Sequence, residues 1–396
     1  MVLSGYADLP LHDGHVPQWL AKLMKKLGKE ILRIVIMELG SEGLLRRLSN
    51  PLWFQAFNNA IGMDWDSSGS TTVTTAIIKE SLNDLGVNVR VAGGKGGLAL
   101  RTPDEIVGYG DELGINSSVI NELIRYSKLS AKVDSALLQD GFSLYHHVIV
   151  FDDKGRWVVI QQGMNLDVKL ARRYHIAWFT SPKIDESPHS GIASNYKGTA
   201  LNLVDIASRR CKEVILDLMN ENPKKVVGMI TEINNVLKGV KTLDYFIGIK
   251  SEAHNLRGNV ITFNTTYYRP VRLDRSLLSR LMKVYEIKPS SIEEALLIPN
   301  VGSEVYRALS LVSELIYREP PSLDDPVTDP YDPFKYAFTV GGKDGIPFPI
   351  KRELMVKVIR ELNDIIKEAE MGRKEKLIAL RNLRRYAPKD EVLDRL

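Results

Sequence analysis

Between Phe142 and Ile160 the chain reads as strand, turn and strand, and this hairpin constrains the fold more than any other stretch. Phe142 to Phe151 is rich in aromatic and β-branched residues, Asp152-Asp153-Lys154-Gly155 supplies the turn, and Trp157 to Ile160 returns. With Phe151 facing Arg156, His146 falls opposite Gln161, Tyr145 opposite Gln162 and Leu144 opposite Gly163. Directly opposed residues share a face, so each face would carry one His–Gln or Tyr–Gln pair among apolar neighbours. A slip of one residue exchanges these assignments but leaves the clustering intact.

The clustering is what points to chemistry. Four of the seven histidines, at 146, 147, 175 and 189, fall between Gln139 and His189. Arg172-Arg173-Tyr174-His175 adds two cations, a phenol and an imidazole, and Pro188-His189-Ser190-Gly191 sets a further imidazole in turn chemistry. Asp140, His146, His147, Gln161, His175 and His189 are the expected catalytic residues, as acids and bases. Asp140, His147, His175 and His189 are the expected ligands of a divalent metal, Mg or Mn before Zn, because the spacing matches no zinc signature such as His-Glu-x-x-His. Arg172 and Arg173 are assigned to a phosphate. The competing reading is a set of packed histidines and a surface arginine pair.

A chain of 396 residues is long enough for two or three domains. Expected are a mostly helical region over 1–115, a central α+β domain over 116–270 around the hairpin, and a C-terminal helical domain over 271–396. Hydrophobic content of 44% and charged content of 26% are ordinary for a globular protein, and a net charge of +4 permits an anionic partner without demanding one. The single cysteine, Cys211, excludes an internal disulfide and a cysteine metal cage, which suits a reducing cytoplasm. No apolar run reaches the length of about 18 residues that marks a membrane span, and the N-terminus lacks the pattern of a secretory leader. A cytoplasmic location without a membrane partner is therefore expected.

In order, His12, Asp13 and His15 sit in a turn-rich opening and form a lesser site candidate. Helices are expected from Pro17 to Leu39, from Leu44 to Leu48, and after Asn50-Pro51, where Trp53, Phe54 and Phe57 read as core. A helix to Leu85 and a strand over Val87–Ala92 lead to Gly93-Gly94-Lys95-Gly96-Gly97. This is not a Walker loop, but its backbone and Lys95 could contact a phosphate. Thr102-Pro103-Asp104-Glu105 reads as a capping box. Helices are expected to Leu113, from Ser117 to about Leu138, from Leu201 to Asn220, from Pro223 to Leu237 and from Leu273 to Tyr285, with a strand over Asn259–Tyr268. The fold class is thus α+β and predominantly helical, with a small antiparallel sheet around a central hairpin.

Ser290 to Leu309 reads as helix, tight turn, helix. Its centre, Leu296-Leu297-Ile298-Pro299-Asn300-Val301-Gly302, resembles the helix-hairpin-helix element of many DNA-binding and repair proteins. The usual turn is Pro-Gly-Val-Gly; here Asn300 replaces the first Gly and tolerates a positive φ better than most residues. The resemblance implies that Pro299, Asn300, Val301 and Gly302, with the following helix N-terminus, hold one backbone phosphate. Glu304 in that first turn would repel it. In the glycosylases that carry this element a catalytic Asp follows, for which Asp324 and Asp325 lie at roughly the right distance. A second Gly-Gly-Lys loop with Lys343 and a basic tail including Arg373, Lys374 and Arg381 could also contact phosphates.

Gly5-Tyr6-Ala7-Asp8-Leu9-Pro10-Leu11-His12, Gln139-Asp140-Gly141, Gln161-Gln162-Gly163-Met164, Arg172-Arg173-Tyr174-His175 and Gly341-Gly342-Lys343-Asp344-Gly345 together resemble a conserved archaeal and bacterial family catalogued as a domain of unknown function. That family carries over no activity. The expectation from the residues is a nucleic-acid-binding protein, DNA before RNA, acting as a metal-assisted phosphodiester hydrolase in DNA repair or processing. The alternatives are a non-catalytic DNA-binding scaffold and a helix-hairpin-helix glycosylase.

Overall fold

The computed structural model describes residues 18–61, 68–167, 169–194, 197–238 and 266–328. His12, Asp13, His15, Lys343 and the basic tail lie outside them. So does most of the expected 259–268 strand, whose described end, Thr266–Tyr268, is a 3-10 turn.

The chain begins with α1 (Gln18–Leu48), broken where Gly40 takes a φ of 69°, followed by α2 (Pro51–Ala60) and α3 (Ser68–Leu85). Next come β1 (Val89–Lys95), α4 (Gly97–Leu100), α5 (Thr102–Glu112) and α6 (Ser117–Lys132), which runs into a π-helical turn, Val133–Leu137. The strands β2 (Leu138–Gln139), β3 (Ser143–Asp152), β4 (Trp157–Asn165), β5 (Leu170–Ala177), β6 (His189–Ala193) and β7 (Thr199–Asn202) follow. Then come α7 (Arg209–Met219), α8 (Pro223–Leu237), α9 (Arg275–Ile287), α10 (Ile292–Leu297), α11 (Ser303–Leu315) and β8 (Ser322–Asp324). The fold is α+β, with an antiparallel sheet in the order β1-β3-β4-β5-β6 and a smaller one in the order β2-β7-β8.

Alternation along the strands sorts the main sheet into two buried faces. Val148, Val150, Val158 and Ile160 pack with Met24, Leu45, Phe54 and Phe57 of α1 and α2, so those aromatics are core as expected. Ile149, Phe151, Trp157, Val159 and Ile176 pack on the other side with residues of α5 to α11, in one apolar cluster running from Ala92 to Val312. A strand covered on both faces has no outward side for its polar residues. Each polar residue in β3, β4 and β5 must therefore find a partner inside.

The hairpin pairs one residue out of the expected register. Phe151 faces Trp157, His147 faces Gln161 and His146 faces Gln162. The register shifts between Leu144 and His146, leaving Tyr145 as the extra residue, so Leu144 returns to Gly163 as expected. The turn explains the offset. Asp152 Oδ1 accepts from the amides of Lys154 and Arg156, at 3.1 and 3.0 Å, and Asp152 N donates to Arg156 O, which puts Arg156 inside the turn.

Other expected elements differ for local reasons. Residues 201–208 do not open α7, because Thr199–Asn202 pairs with both β2 and β8. Glu105 does not close a capping box: its Oε2 accepts from Gly93 N at 2.7 Å and Lys79 Nζ at 2.6 Å, tying α5 to β1 and α3. Gly93 itself has φ 102°, and a Cβ there would stand 2.3 Å from His147 O, so only glycine fits.

Candidate functional site

The expected site residues are close in sequence, but the sheet divides them. His147, Gln161, Arg172 and Tyr174 point toward α6 and α11, whereas His146, Gln162, Arg173 and His175 point toward α1 to α3. The two groups stand back to back.

On the α6 side a hydrogen-bonded relay crosses the interior. Ser127 Oγ lies 2.8 Å from His147 Nε2, and His147 Nδ1 lies 2.8 Å from Gln161 Oε1. Since the Gln161 oxygen accepts only, Nδ1 carries the proton and Nε2 accepts from the serine hydroxyl. Gln161 Nε2 donates to Asp134 Oδ2 and to Ser130 O, and Asp134 Oδ1 is 2.6 Å from His189 Nε2. Asp134 is fully buried, while the His189 side chain keeps 8% exposure and forms the solvent end of the relay. Burial lowers the His147 imidazole below its ordinary range, so it is neutral at pH 7.

Asp134 reaches this position because α6 ends in the π-helical turn, whose extra residue per turn rotates the carboxylate onto the sheet. Sequence reasoning missed it. The signal was one carboxylate inside the run Val133–Leu138, whose other residues apart from Ser135 are apolar.

Farther along the same face, Arg172 is fully buried and does not face a phosphate. Its Nη1 donates to Asp140 Oδ2 at 2.7 Å and to Asp325 Oδ1 at 2.9 Å, and its Nη2 to Asp325 Oδ2 at 2.8 Å. Asp140 Oδ2 also accepts from Tyr174 OH at 2.7 Å, and its Oδ1 from Phe142 N at 3.0 Å. The guanidinium stacks over the Phe142 ring at 4.4 Å. Burial pushes the Asp140 carboxyl above its ordinary range, against the pull of Arg172, Tyr174 and the Phe142 amide. This is a clamp fastening β5 to the β2–β3 connection and to β8. It occupies Asp140, which was expected as a metal ligand, and Asp325, which was expected as a glycosylase carboxylate; Asp324 is exposed on β8.

Across the sheet, Lys95, His146, Gln162 and Arg173 form one continuous row over β1, β3, β4 and β5. Thr75 Oγ1 donates to Thr71 O at 2.8 Å and accepts from His146 Nε2 at 3.0 Å, so Nδ1 of His146 is a bare lone pair. Burial first, then the charges of His147 and Lys95, push this imidazole down to about 3. His175 donates from Nδ1 to Leu48 O at 2.8 Å and meets Phe54 edge-on; burial and Arg173 hold it neutral. Arg173 is 5% exposed and donates to Gln55 Oε1 and Pro51 O, each at 3.3 Å, with Phe54 beneath it. Lys95 alone in the row is exposed.

The expected metal set is therefore not assembled: His175 lies on the opposite face from His147 and His189, and Asp140 is held by Arg172. Among the described residues no three His, Cys, Asp or Glu side chains converge as ligands. The carboxylate–imidazole pair the structure does assemble is Asp134 with His189.

The C-terminal hairpin is also formed. α10 and α11 are joined through Ile298–Gly302, with Asn300 at φ 69°, as the replacement of glycine required. Val301 is buried and anchors the turn, while Pro299 and Asn300 are exposed. Lys132 Nζ approaches Val301 O at 3.1 Å, Lys283 Nζ approaches Pro299 O at 3.4 Å, and Arg280 pairs with Glu304 at 3.1 Å. Arg280 thus offsets the carboxylate that would repel a phosphate. Gly302 supplies no side-chain cap to α11, and a Cβ added to it would meet nothing within 4 Å. Gln139 Nε2 donates to Ser303 O at 2.9 Å, linking the hairpin to the residue beside Asp140.

These features define a class: an α+β protein with an antiparallel sheet sealed on both faces by helices, an internal polar relay, and a cation-flanked helical hairpin at its edge. The chain belongs to the family described as Protein of unknown function (DUF763), whose model matches residues 5–350. Neither the curated proteins nor the solved structures hold a match to it. No helix among the described residues is long and apolar enough to cross a membrane.

Proposed function

We propose that the protein binds the sugar-phosphate backbone of nucleic acid, DNA before RNA, through the Pro299–Gly302 hairpin and the N-terminus of α11. The observation that carries this is the open amide end of α11 ringed by Lys132, Lys283 and Arg280. Unpaired N-terminal amides and the helix dipole favour an anion, and the three cations add charge without reading sequence. Binding should be largely sequence-independent and steeply salt-dependent. The test is Gly302→Glu. The residue has extended φ of −138° and free space for a side chain, so the variant folds but sets a carboxylate at the phosphate position. Its affinity for duplex DNA should fall by about tenfold or more, and Lys283→Ala should reduce the salt slope by about one. Unchanged affinity in Gly302→Glu would remove the hairpin from the interface.

A second reading is favoured by the Asp134–His189 pair: phosphodiester hydrolysis with His189 as general base, oriented by Asp134, and with a divalent ion brought by the substrate phosphates. Labelled DNA and RNA incubated with Mg2+, Mn2+ or EDTA test it. His189→Ala should abolish cleavage while binding persists, and Asp134→Asn should slow it by about 10²–10⁴-fold. Cleavage surviving in both variants would sink this assignment.

A further inference from the structure

Beside His189 the relay face opens into a cavity of about 250 Å3 walled by Tyr126, Trp157, Ile176, Trp178, Pro182 and Pro188. Two observations bring it next to His189, which does not itself line it. Pro188 is the residue before His189, and Ile176 is its cross-strand partner. Three aromatic rings, those of Tyr126, Trp157 and Trp178, line it beside Ile176 and Ile184. Tyr126 and Trp157 stack with centroids 5.0 Å apart and 25° between their planes. Trp178 is half-buried and braced edge-on by Phe179 at 4.7 Å, with the Arg46 guanidinium 5.3 Å from its centroid. Next to the lining residues, Arg46, Arg125 and Lys183 keep 49%, 42% and 64% exposure while pairing with Glu42, Glu293 and Glu186.

The volume lies below the range of about 300–1,000 Å3 that encloses a drug-sized molecule, but it suits one planar ring system. Aromatic walls reward the stacking of a planar ring. The Ser181 hydroxyl in the lining offers one polar contact to a ring edge. A free anion would gain nothing from the rings.

We propose that this cavity is a stacking site for one unpaired nucleobase of a single-stranded or frayed nucleic acid, setting that nucleotide's phosphodiester beside His189. The proposal rests on the nucleic-acid reading above and deepens it, by making single-stranded ends or loops the substrate class. Duplex held by the hairpin would then deliver its unpaired portion to the sheet face.

The experiment uses the full chain and two probes of equal length, an oligothymidylate and an abasic strand, followed by fluorescence anisotropy and tryptophan quenching. The oligothymidylate should bind about fivefold to a hundredfold more tightly than the abasic strand and quench the tryptophans. Trp178→Ala should erase that preference while leaving abasic-strand affinity unchanged, and Trp178→Phe, which keeps a ring, should retain most of it. Equal affinity for both strands in the unsubstituted protein overturns the proposal. If duplex DNA still binds with a steep salt slope, that failure is confined to the cavity. If neither strand nor duplex binds, the nucleic-acid reading fails with it.

Discussion

Replacing Arg172 with Met tests whether the clamp is a buried ion network or a decorated surface. The side chain is fully buried, and its three donor contacts, at 2.7, 2.8 and 2.9 Å, serve two carboxylates that are themselves buried. Removing one partner of a buried pair leaves uncompensated charge and costs about 3–5 kcal/mol. At about 2–4 °C per kcal/mol for domains of a few hundred residues, the thermal midpoint should fall by on the order of 10 °C. The loss should depend on pH in a defined sense. Asp140 has a folded pKa already raised by burial, so its contribution favours folding at low pH and fades as pH rises through the folded value. Without Arg172 that value rises further, so the variant should be hurt most near neutrality and recover ground toward pH 4. A charge-free triple variant, Arg172→Met with Asp140→Leu and Asp325→Leu, should regain most of the loss, because apolar replacement of a whole buried network is often nearly neutral. Thermal scans of the single and triple variants at pH 7, 5 and 4 check all three statements. A single-variant loss below about 1 kcal/mol, or one independent of pH, would refute the reasoning, since exposed pairs behave that way.

The remaining predictions concern separate parts of the molecule. His146 is held near 3 instead of its ordinary 6.5, so its contribution is complete above about pH 6.5 and is lost as pH falls toward 3, up to about 4–5 kcal/mol. Urea titrations at pH 7, 5 and 4 should show a shallower acid loss in His146→Gln, and an unchanged slope would count against the buried neutral imidazole. Gly93→Ala should destabilise by on the order of 3 kcal/mol or more, from the positive φ and the contact with His147 O, read as a lowered urea midpoint. Cys211 is buried and its thiol is pushed up to about 11, so a thiol reagent should label it only after denaturation.

The sequence carried the existence of the central hairpin, the helical character of both flanks, the core role of Trp53, Phe54 and Phe57, and the tight turn at Asn300. Each follows from local chemistry: β-branched runs, apolar spacing, and a residue that accepts positive φ. The clustering of histidines, arginines and glutamines around the hairpin was also legible, because polar residues in apolar strands need a reason wherever those strands end up.

What those residues do could not be read there. Strand alternation separates neighbours such as His146 from His147 and Arg172 from Arg173, and the register set at the Asp152–Arg156 turn decides which glutamine each histidine faces. Asp134, Ser127 and Asp325 enter the picture only through the π-helical end of α6 and the pairing of β8 with β7, contacts made across long stretches of chain. Local sequence sets which groups are present and roughly what backbone carries them. Tertiary packing, by sealing both faces of the sheet, decided which charges became a clamp, which imidazoles became neutral fixtures, and that His189 meets the Asp134 carboxylate at the end of the relay.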